Sequence, residues 1–335
     1  MTRLLFKFNI VSVFIFLLCF HLAARDHLHF RSDGTFKIVQ FTDIHYKVGA
    51  EPSEKVPPFM GEILDSESPD LVVLTGDIVT SKPAAEGWRS IIQPMVDRNI
   101  PWTVTLGNHD DEHDLSRQET IQLLKTQPHS LVRSSPKGVA GYGNSVLQVK
   151  AADGDNTALL VYCIDSNAYT TLEGVGTYGW IEFSQIEWYR EQSTRFTHKN
   201  DDLPLPALAF FHIPVPEYHD VWQAGKCVGV QHEDVCDPVI NTGMFAAMRL
   251  AGDVLGVFVG HDHENDYAGE WYGICLAYGR VSGFDAYGDL PRGARVIQVQ
   301  EGERAFSTWI RTEDAQVVHS IEFPTTFEAM KTGTE

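Results

Sequence analysis

The chain contains five short runs of apolar, β-prone residues, and each run carries polar side chains at its carboxyl end. The first, FKIVQF, begins at Phe36 and leads directly to Asp43 and His45. Val, Ile, Leu, Phe and Thr dominate these runs, which predicts buried β-strands. Open α/β sheets bind ligands at the carboxyl ends of their strands, so the pattern predicts a site at one sheet edge. The other runs are DLVVLTGD ending at Asp77, WTVTLGNHD ending at Asp110, ALAFFHIP carrying His212, and VLGVFVGHDH ending at His263.

Helical patterns separate the first runs, which predicts an α/β first half of the chain. The predicted helices are Pro57–Asp70, Glu86–Arg98 (which Pro94 should kink or end), one that starts at the capping-box spacing of Ser116 and Glu119, Phe183–Phe196, and Gly243–Ala251. From about residue 141 the pattern is more β-rich: GYGNSVLQVK and TALLVYCID predict successive antiparallel strands, and Gly273–Val299 returns to strands. Phe183 is expected on or near the apolar face of its helix. No repeat or long linker interrupts the chain, so residues 25–335 are predicted to form a single domain.

Residues 1–24 are typical of a secretory signal peptide. Arg3 and Lys7 precede the apolar stretch Ile10–Phe20, and the small residues Ala23 and Ala24 offer a cleavage site. The apolar stretch is short for a membrane span, and an uncleaved N-terminal anchor is the alternative. We therefore expect export to the periplasm, the extracellular space or the lumen of the secretory pathway, with membrane contact only through this segment.

Export permits disulfide bonds, so the cysteines carry structural information. Cys163 and Cys275 lie inside strand-like runs and are predicted to be buried thiols. Cys227 and Cys236 flank a polar loop, where a disulfide and two free thiols are both open alternatives.

The chain is acidic, with 45 Asp and Glu against 26 Lys and Arg and a formal net charge of −19. Nucleic-acid binding requires basic side chains that displace phosphate counterions, so we expect no nucleic-acid partner. The same charge would repel anionic substrates unless bound cations reverse the local sign. The oligomeric state is not predictable from these features.

Asp, Asn and His together form a ligand set suited to Mn, Fe or Zn. Five strand ends that deliver such residues to one edge predict a dinuclear site, in which two ions about 3.5–4 Å apart clamp a reacting phosphoryl group. Asp77 stands alone on its strand end and is the best candidate for a bridging carboxylate. A glycine precedes a ligand-bearing residue at Gly76, Gly107 and Gly260, where a missing Cβ allows a tight turn towards the ions.

The ordered motifs DxH, GD, GNHD, a strand-end His and GHxH resemble those of the calcineurin-like metallophosphoesterases. The flanking phrases resemble a branch that includes plant proteins named as purple acid phosphatases of uncertain activity and a fungal secretory-pathway phosphatase. The resemblance extends from about Phe30 to Val299, and it is carried by FRSDGTFKIVQ, SPDLVVLTGD, IPWTVTLGNHD, GTYGW, ALAFFHIP and GHDHEND. It implies an α/β (α+β) fold, a four-layer β-sandwich flanked by helices with ligands on loops at the carboxyl ends of strands.

The resemblance also implies a ligand set and a mechanism. One ion would be held by Asp43, His45, Asp77 and His263, and the other by Asp77, Asn108, His212 and His261. A metal-bridging hydroxide would attack phosphorus, His109 would stabilise the developing charge or protonate the leaving oxygen, and Asp110 would orient His109. Two residues depart from true purple acid phosphatases, which have Gly in place of His45 and Tyr in place of Thr80. The missing Tyr predicts a protein without purple colour, and His45 supplies a ligand in its place.

These features predict an exported hydrolase of phosphate monoesters that acts on a small phosphate-ester substrate. A phosphodiesterase at the same site and a catalytically silent metal-binding regulator are the alternatives. The segment between residues 215 and 237 follows His212 and is expected to cover the site, so His219, Trp222 and His232 are candidate substrate contacts. Arg292 and Arg295 are candidate cations for the third phosphoryl oxygen of a monoester.

Overall fold

A computed structural model describes residues 28–332 of the chain. In chain order the strands are β1 Leu28–His29, β2 Thr35–Phe41, β3 Leu71–Thr75, β4 Trp102–Thr105, β5 Ser145–Lys150, β6 Thr157–Cys163, β7 Ala207–Phe210, β8 Cys227–Val228, β9 Val254–Val259, β10 Ala268–Trp271, β11 Ile274–Tyr278, β12 Gly293–Gln300, β13 Phe306–Thr312 and β14 Val317–Phe323. The helices are α1 Glu51–Glu54, α2 Val56–Glu67, α3 Ala84–Asp97, α4 Arg117–Leu124, α5 Phe183–Lys199, α6 Glu217–Gln223, α7 Met244–Ala251 and α8 Thr325–Thr332.

Within the described residues, the strands form two sheets. The eight-stranded sheet has the order β1-β5-β6-β7-β9-β11-β10-β8, and the six-stranded sheet has the order β14-β13-β12-β2-β3-β4. β2, β3 and β4 are parallel neighbours in the smaller sheet, and β7 and β9 are parallel neighbours in the larger one. The strand ends that carry the predicted ligands therefore share the carboxyl edges of the two sheets.

Alternating side chains on the central strands face different layers, which is why nearly all of them are apolar. In β2, Ile38 packs between the two sheets, whereas Val39 packs towards α2 and α3. In β9, Phe258 packs between the sheets, whereas Val257 packs towards α5 and α7. Full burial of each such side chain stabilises the folded state by about 1.5–3 kcal/mol. The result is the predicted four-layer arrangement of helices, sheet, sheet and helices, and the fold prediction is confirmed.

The helix predicted to be interrupted at Pro94 does not end there, and α3 continues to Asp97. The missing N–H of Pro94 leaves one carbonyl of the preceding turn without its helical partner, and only three residues of α3 follow Pro94. Arg98 Nη1 also donates to the Pro94 carbonyl oxygen at 3.1 Å. Burial of Ile91 and Met95 on the same helix outweighs the lost hydrogen bond.

Phe183 was predicted on or near the apolar face of α5, but its side chain is 71% exposed. Ile186, Tyr189 and Phe196 form the buried stripe of this helix. Phe183 and Tyr189 are six residues apart and therefore point about 120° from each other around the helix axis. The first residue of α5 thus falls outside the buried face.

The sequence-based interpretation ended at Val299 and missed the last elements of the chain. β13 pairs antiparallel with β12, and β14 pairs antiparallel with β13, so the two strands extend the smaller sheet at one edge. Phe306, Thr308 and Ile310 alternate as buried residues along β13, which is the period expected of a strand with one covered face.

Cys163 and Cys275 are buried thiols, as predicted. Cys227 and Cys236 are free thiols, and each donates to a nearby backbone carbonyl: Cys227 Sγ to Val221 O at 3.4 Å and Cys236 Sγ to Asp234 O at 3.6 Å. Between residues 28 and 332, no helix combines the length and apolarity needed to cross a membrane. The predicted signal peptide, residues 1–24, lies outside the described residues.

Candidate metal centre

The structure brings the predicted ligands from both sheets into one region. His45 follows β2 in the smaller sheet and His263 follows β9 in the larger sheet, and their ring centroids are 4.9 Å apart. His212 follows β7, and its ring centroid lies 5.1 Å from that of His261. The carboxyl edges of the two sheets therefore face each other across the site.

The ligand side chains form two clusters that meet at Asp77. Donor atoms of Asp43, His45 and His263 lie within 4.8 Å of one another, and so do those of Asp77, His212 and His261. Asp77 Oδ2 lies 3.7 Å from His45 Nε2 in the first cluster and 3.1 Å from His212 Nε2 in the second. One carboxylate oxygen thus faces both clusters, which is the position a bridging ligand must occupy.

Several donor atoms are buried yet lack hydrogen-bond partners, which tests whether the residues fit metal ions. Buried polar atoms in folded proteins are nearly always hydrogen-bonded, so such exceptions need an explanation. Two bound cations would satisfy all of these atoms at once, and oxygen and imidazole nitrogen are donors that Mn, Fe and Zn accept. Among the described residues, the unpartnered atoms at the site are His45 Nε2, Asn108 Oδ1, His212 Nε2 and His261 Nε2.

Backbone carbonyls orient two of the imidazoles. His212 Nδ1 lies 2.7 Å from Thr75 O, and His263 Nδ1 lies 3.3 Å from Tyr287 O. A hydrogen bond from Nδ1–H to a carbonyl fixes the tautomer and leaves the Nε2 lone pair for a metal.

The backbone is strained at the ligand positions. Asp43, His45, Asp77 and His261 all have positive φ angles, of 51°, 48°, 53° and 80°. Non-glycine residues rarely adopt this region, and strain of about 1–3 kcal/mol per residue is typically stored at functional sites. The strained turns direct successive side chains of one loop into the same small volume.

Glycine is required beside the bridging position because the backbones approach closely. A Cβ at Gly107 would lie 2.1 Å from Asp77 Oδ1, and one at Gly260 would lie 1.9 Å from Thr42 Oγ1 and 2.6 Å from Asp43 Oδ2. All three distances are far below van der Waals separation. Any larger residue would displace a predicted ligand.

We expect Gly107→Ala to reduce metal content and destabilise the fold by about 1–3 kcal/mol, because the added methyl group must push Asp77 out of place. Gly179→Ala is a matched control, since the nearest atom to its added Cβ would be 3.4 Å away. Elemental analysis and thermal unfolding measure both effects. Equal metal content and stability in the two variants would show that the close approach is not needed.

Burial disfavours the charged forms of the ligand side chains, and electrostatic attraction between neighbouring ligands partly offsets this effect. The pKa of His261 falls to about 3 because of burial and the nearby His212, and burial lowers the pKa of His45 to about 4. Burial tends to raise the pKa of Asp77, but His212 and His45 outweigh it and hold that pKa well below its usual value. In return, Asp77 raises the pKa of His212 to about 9 despite burial. Asp77 therefore favours a positive charge beside it, which a metal ion supplies in place of a proton.

The prediction that Asp110 orients His109 is wrong. The two carboxylate oxygens of Asp110 accept hydrogen bonds from the backbone N–H groups of Asp77, Ile78, Val79 and Gly107, at 2.9, 2.8, 3.3 and 2.8 Å. Burial, together with the charge of Asp77, raises the pKa of Asp110. Asp110 thus links the loop that carries Asp77 to the loop that carries His109, and its role is structural.

His109 lies at the mouth of the site and contacts a different acid. Its backbone N–H donates to Asp77 Oδ1 at 2.8 Å, and its ring centroid lies 5.4 Å from that of His45. Its Nδ1 lies 2.8 Å from Glu112 Oε2, and its side chain is 35% exposed. The imidazole is therefore close to the first cluster and still reachable by a substrate.

Sequence reasoning missed the aromatic residues around the site. Tyr178 packs edge-on against His261 with centroids 4.5 Å apart, and Tyr169 stacks on Tyr178 at 6.1 Å. Tyr287 stacks on His263 at 3.8 Å. The phrase GTYGW, which contains Tyr178, was part of the family resemblance, but no motif pointed to the others.

The three candidate substrate contacts do not converge on the clusters. Exposed His219 pairs with Gln223 on the same helix, and the partly buried Trp222 packs against the core residue Tyr267, with centroids 4.9 Å apart. The exposed His232 lies nearer to the site, because its backbone N–H donates to the carbonyl of Glu264, the residue after His263.

The candidate arginines also bind elsewhere. Arg295 is fully buried and donates to Asp266 O and Thr308 Oγ1 at 2.7 and 3.1 Å. Arg292 donates to Ala286 O and Leu290 O at 2.8 and 3.2 Å. Both guanidinium groups stabilise loops and β12, so they do not serve as the predicted phosphate contacts.

A family model described as calcineurin-like phosphoesterase matches residues 36–265 of the chain. The Arabidopsis thaliana protein named probable inactive purple acid phosphatase 14 is 33% identical over 344 residues, which cover 90% of this chain and 86% of the plant protein. Phosphatase DCR2 of Saccharomyces cerevisiae is 31% identical over 319 residues, covering 83% of this chain but 54% of the yeast protein.

A solved structure shows the same fold. A dimetal phosphatase from Danio rerio matches with a TM-score of 0.58 and 14% identity, covering 86% of this chain and 98% of the zebrafish chain. The family model and the plant relative carry the assignment, which confirms the resemblance found in the sequence. The chain belongs to the calcineurin-like phosphoesterase family.

Proposed function

We propose that the chain is an exported phosphoesterase that hydrolyses phosphate monoesters with two ions of Mn, Fe or Zn. The observation that carries this proposal is the position of Asp77 Oδ2, 3.7 Å from His45 Nε2 and 3.1 Å from His212 Nε2, where two clusters of buried ligand atoms meet. When bound, two such ions activate water and neutralise charge on a phosphoryl group. Asp43, His45, Asp77 and His263 would hold one ion, and Asp77, Asn108, His212 and His261 the other.

In this proposal His109 acts on the leaving group. Its partly exposed imidazole lies beside the first cluster, and its backbone N–H donates to Asp77 Oδ1. An imidazole in this place can give a proton to the oxygen that leaves phosphorus, which is worth about 10²–10⁴ in rate. The Tyr169 and Tyr178 rings would border the substrate on the side of His261.

A catalytically silent metal-binding protein is the competing hypothesis, because the plant relative is named probable inactive. A protein that only held metal ions would not need an imidazole outside both clusters. His109 is such a residue, and a carboxylate oxygen lies 2.8 Å from its Nδ1. This arrangement favours turnover.

A phosphodiesterase is a second candidate, which the arginine positions favour. A monoester has a third charged oxygen that benefits from a cationic contact, and a diester lacks this need. Arg292 and Arg295, the sequence-based candidates for that contact, donate to carbonyls elsewhere. The choice between the two ester classes is therefore an outcome of the test below.

Export is part of the proposal and follows from the signal-like residues 1–24. The net charge of −19 favours a small phosphate ester over a nucleic acid as the substrate. Detection of the mature chain outside the cytosol, with its N-terminus near residue 25, is the expected result.

Removal of metal by a chelator should lower hydrolysis of a mono-aryl phosphate by at least about a hundredfold, because the ions supply most of the charge stabilisation. The untreated protein should hold two ions per chain. Refilling with Mn, Fe or Zn should restore turnover, and a bis-aryl phosphate should react more slowly than the mono-aryl ester. Faster bis-aryl hydrolysis would identify a diesterase, and two bound ions without any turnover would identify a silent binder.

A further inference from the structure

Asn108, Tyr169, Glu112 and His109 are joined by a continuous series of hydrogen bonds. Asn108 Nδ2 donates to Tyr169 Oη at 3.0 Å, and Tyr169 Oη donates to Glu112 Oε1 at 3.2 Å. The other oxygen of Glu112 lies 2.8 Å from His109 Nδ1. Because Asn108 and His109 are adjacent in sequence, these contacts form a closed ring of four side chains and one peptide bond.

The hydrogen bonds of this ring determine which atoms of His109 and Asn108 remain available to a substrate and to a metal ion. With Nδ1–H of His109 directed at Glu112, Nε2 is the nitrogen that can exchange a proton with a substrate. With Nδ2 of Asn108 directed at Tyr169, the amide oxygen Oδ1 is left buried and unpartnered at the metal centre. Rotation of either side chain would break a hydrogen bond of the ring.

Other nearby acids do not perform this task. Both oxygens of Asp110 accept from backbone amides. Asp111 Oδ1 accepts from Arg117 Nη1 at 3.3 Å, which ties it to the base of the GNHD loop. Glu112 is thus the carboxylate that the fold places against the His109 ring, three residues along the same turn.

We propose that Glu112 is the positioning residue of His109, and that Tyr169 links this pair to the metal ligand Asn108; the proposal rests on the function proposed above. As a water oxygen bonds to phosphorus and the bond to the leaving oxygen breaks, the doubly protonated His109 ring gives its Nε2–H proton to that leaving oxygen. The Nδ1–H proton stays on the imidazole, and Glu112 stabilises the ring in this orientation throughout. Glu112 itself exchanges no proton with the substrate.

The test compares two aryl phosphates that differ in the leaving group, 4-nitrophenyl phosphate and phenyl phosphate. Proton donation matters most for the poorer leaving group, phenol. Glu112→Ala should lower kcat for phenyl phosphate by about tenfold to a hundredfold, as loss of an orienting carboxylate does elsewhere. The effect on 4-nitrophenyl phosphate should be much smaller. Glu112→Gln retains the shape of the side chain and should show the same selective loss on phenyl phosphate as Glu112→Ala. Glu187→Ala is the control, because Glu187 is an exposed carboxylate on α5.

A merely structural role of Glu112 would lower both reactions equally. The double variant His109→Ala with Glu112→Ala should be no slower than His109→Ala alone, because Glu112 acts only through the proton donation that His109 provides. Equal losses on the two esters, or additive losses in the double variant, would overturn the proposal.

A measurement that does not depend on catalysis tests this proposal separately from the proposed function. In the zinc-loaded protein labelled with ¹⁵N-histidine, the His109 ring should carry a proton on Nδ1 whether or not Nε2 is also protonated, and the signal should change in Glu112→Ala. If the wild type hydrolyses neither ester but shows this tautomer, the proposed function fails and the positioning role stands. A wild-type His109 protonated on Nε2 alone would overturn the positioning role whatever the activity.

Discussion

Asp77→Asn is expected to abolish most hydrolysis and to remove at least one metal ion per chain. The carboxylate oxygen Oδ2 of Asp77 lies 3.7 Å from His45 Nε2 in one ligand cluster and 3.1 Å from His212 Nε2 in the other. An amide keeps the shape but loses the charge that holds two cations together. A loss of about 4 kcal/mol of charge stabilisation corresponds to roughly a thousandfold lower kcat.

Elemental analysis after dialysis and turnover of an aryl phosphate measure these two effects together. Asp155→Asn is the matched control, because Asp155 is exposed in a turn between β5 and β6. An Asp77→Asn protein that kept two ions and near-normal turnover would show that Asp77 does not bridge the ions. Loss of metal with normal unfolding temperature would show that the substitution acts on the site and leaves the fold intact.

The sequence predicted the fold and the meeting of the ligands because both follow from short-range patterns. Buried parallel strands read as unbroken apolar runs, and a parallel sheet collects their carboxyl ends at one edge. The side chains of Asp43, Asp77 and His212 therefore had to approach one another once their strands were paired correctly. The positive φ angles of Asp43 and Asp77 were not visible in the pattern.

Interactions within the site's loops were harder to predict because they depend on side-chain direction. Asp110 follows His109 in the GNHD motif, but successive residues of a turn point in different directions. The carboxylate of Asp110 faces inward to four amides, and Glu112, three residues from His109, returns to the imidazole. Sequence proximity alone favoured the wrong acid.

Contacts between segments that are far apart in the sequence could not be predicted from any local sequence pattern. Tyr169 reaches Asn108 across 61 positions of the chain, and Tyr287 reaches His263 across 24. Neither tyrosine lies in a strand-end motif. Trp222 was proposed as a substrate contact because it follows His212, but it is partly buried and packs against the core residue Tyr267.

His109→Ala is expected to lower kcat by about 10²–10⁴ while both metal ions stay bound. The imidazole of His109 belongs to neither ligand cluster, and its contact with Asp77 is made by the backbone N–H, which alanine retains. Loss of activity and loss of metal should therefore separate in this variant, whereas they coincide in Asp77→Asn. That separation distinguishes a group that moves protons from one that holds ions.

The separation can be measured because the chain offers a second exposed histidine nearby. His113→Ala removes an exposed imidazole four residues away that belongs to neither cluster among the described residues, so it should leave turnover and metal content unchanged. Full metal occupancy with equal turnover in wild type and His109→Ala would mean that the leaving oxygen needs no proton from the protein. A silent metal-binding protein would give no turnover in any of the three. Slow His109→Ala beside active His113→Ala and wild type, all with two ions, is the outcome that a hydrolase using His109 requires.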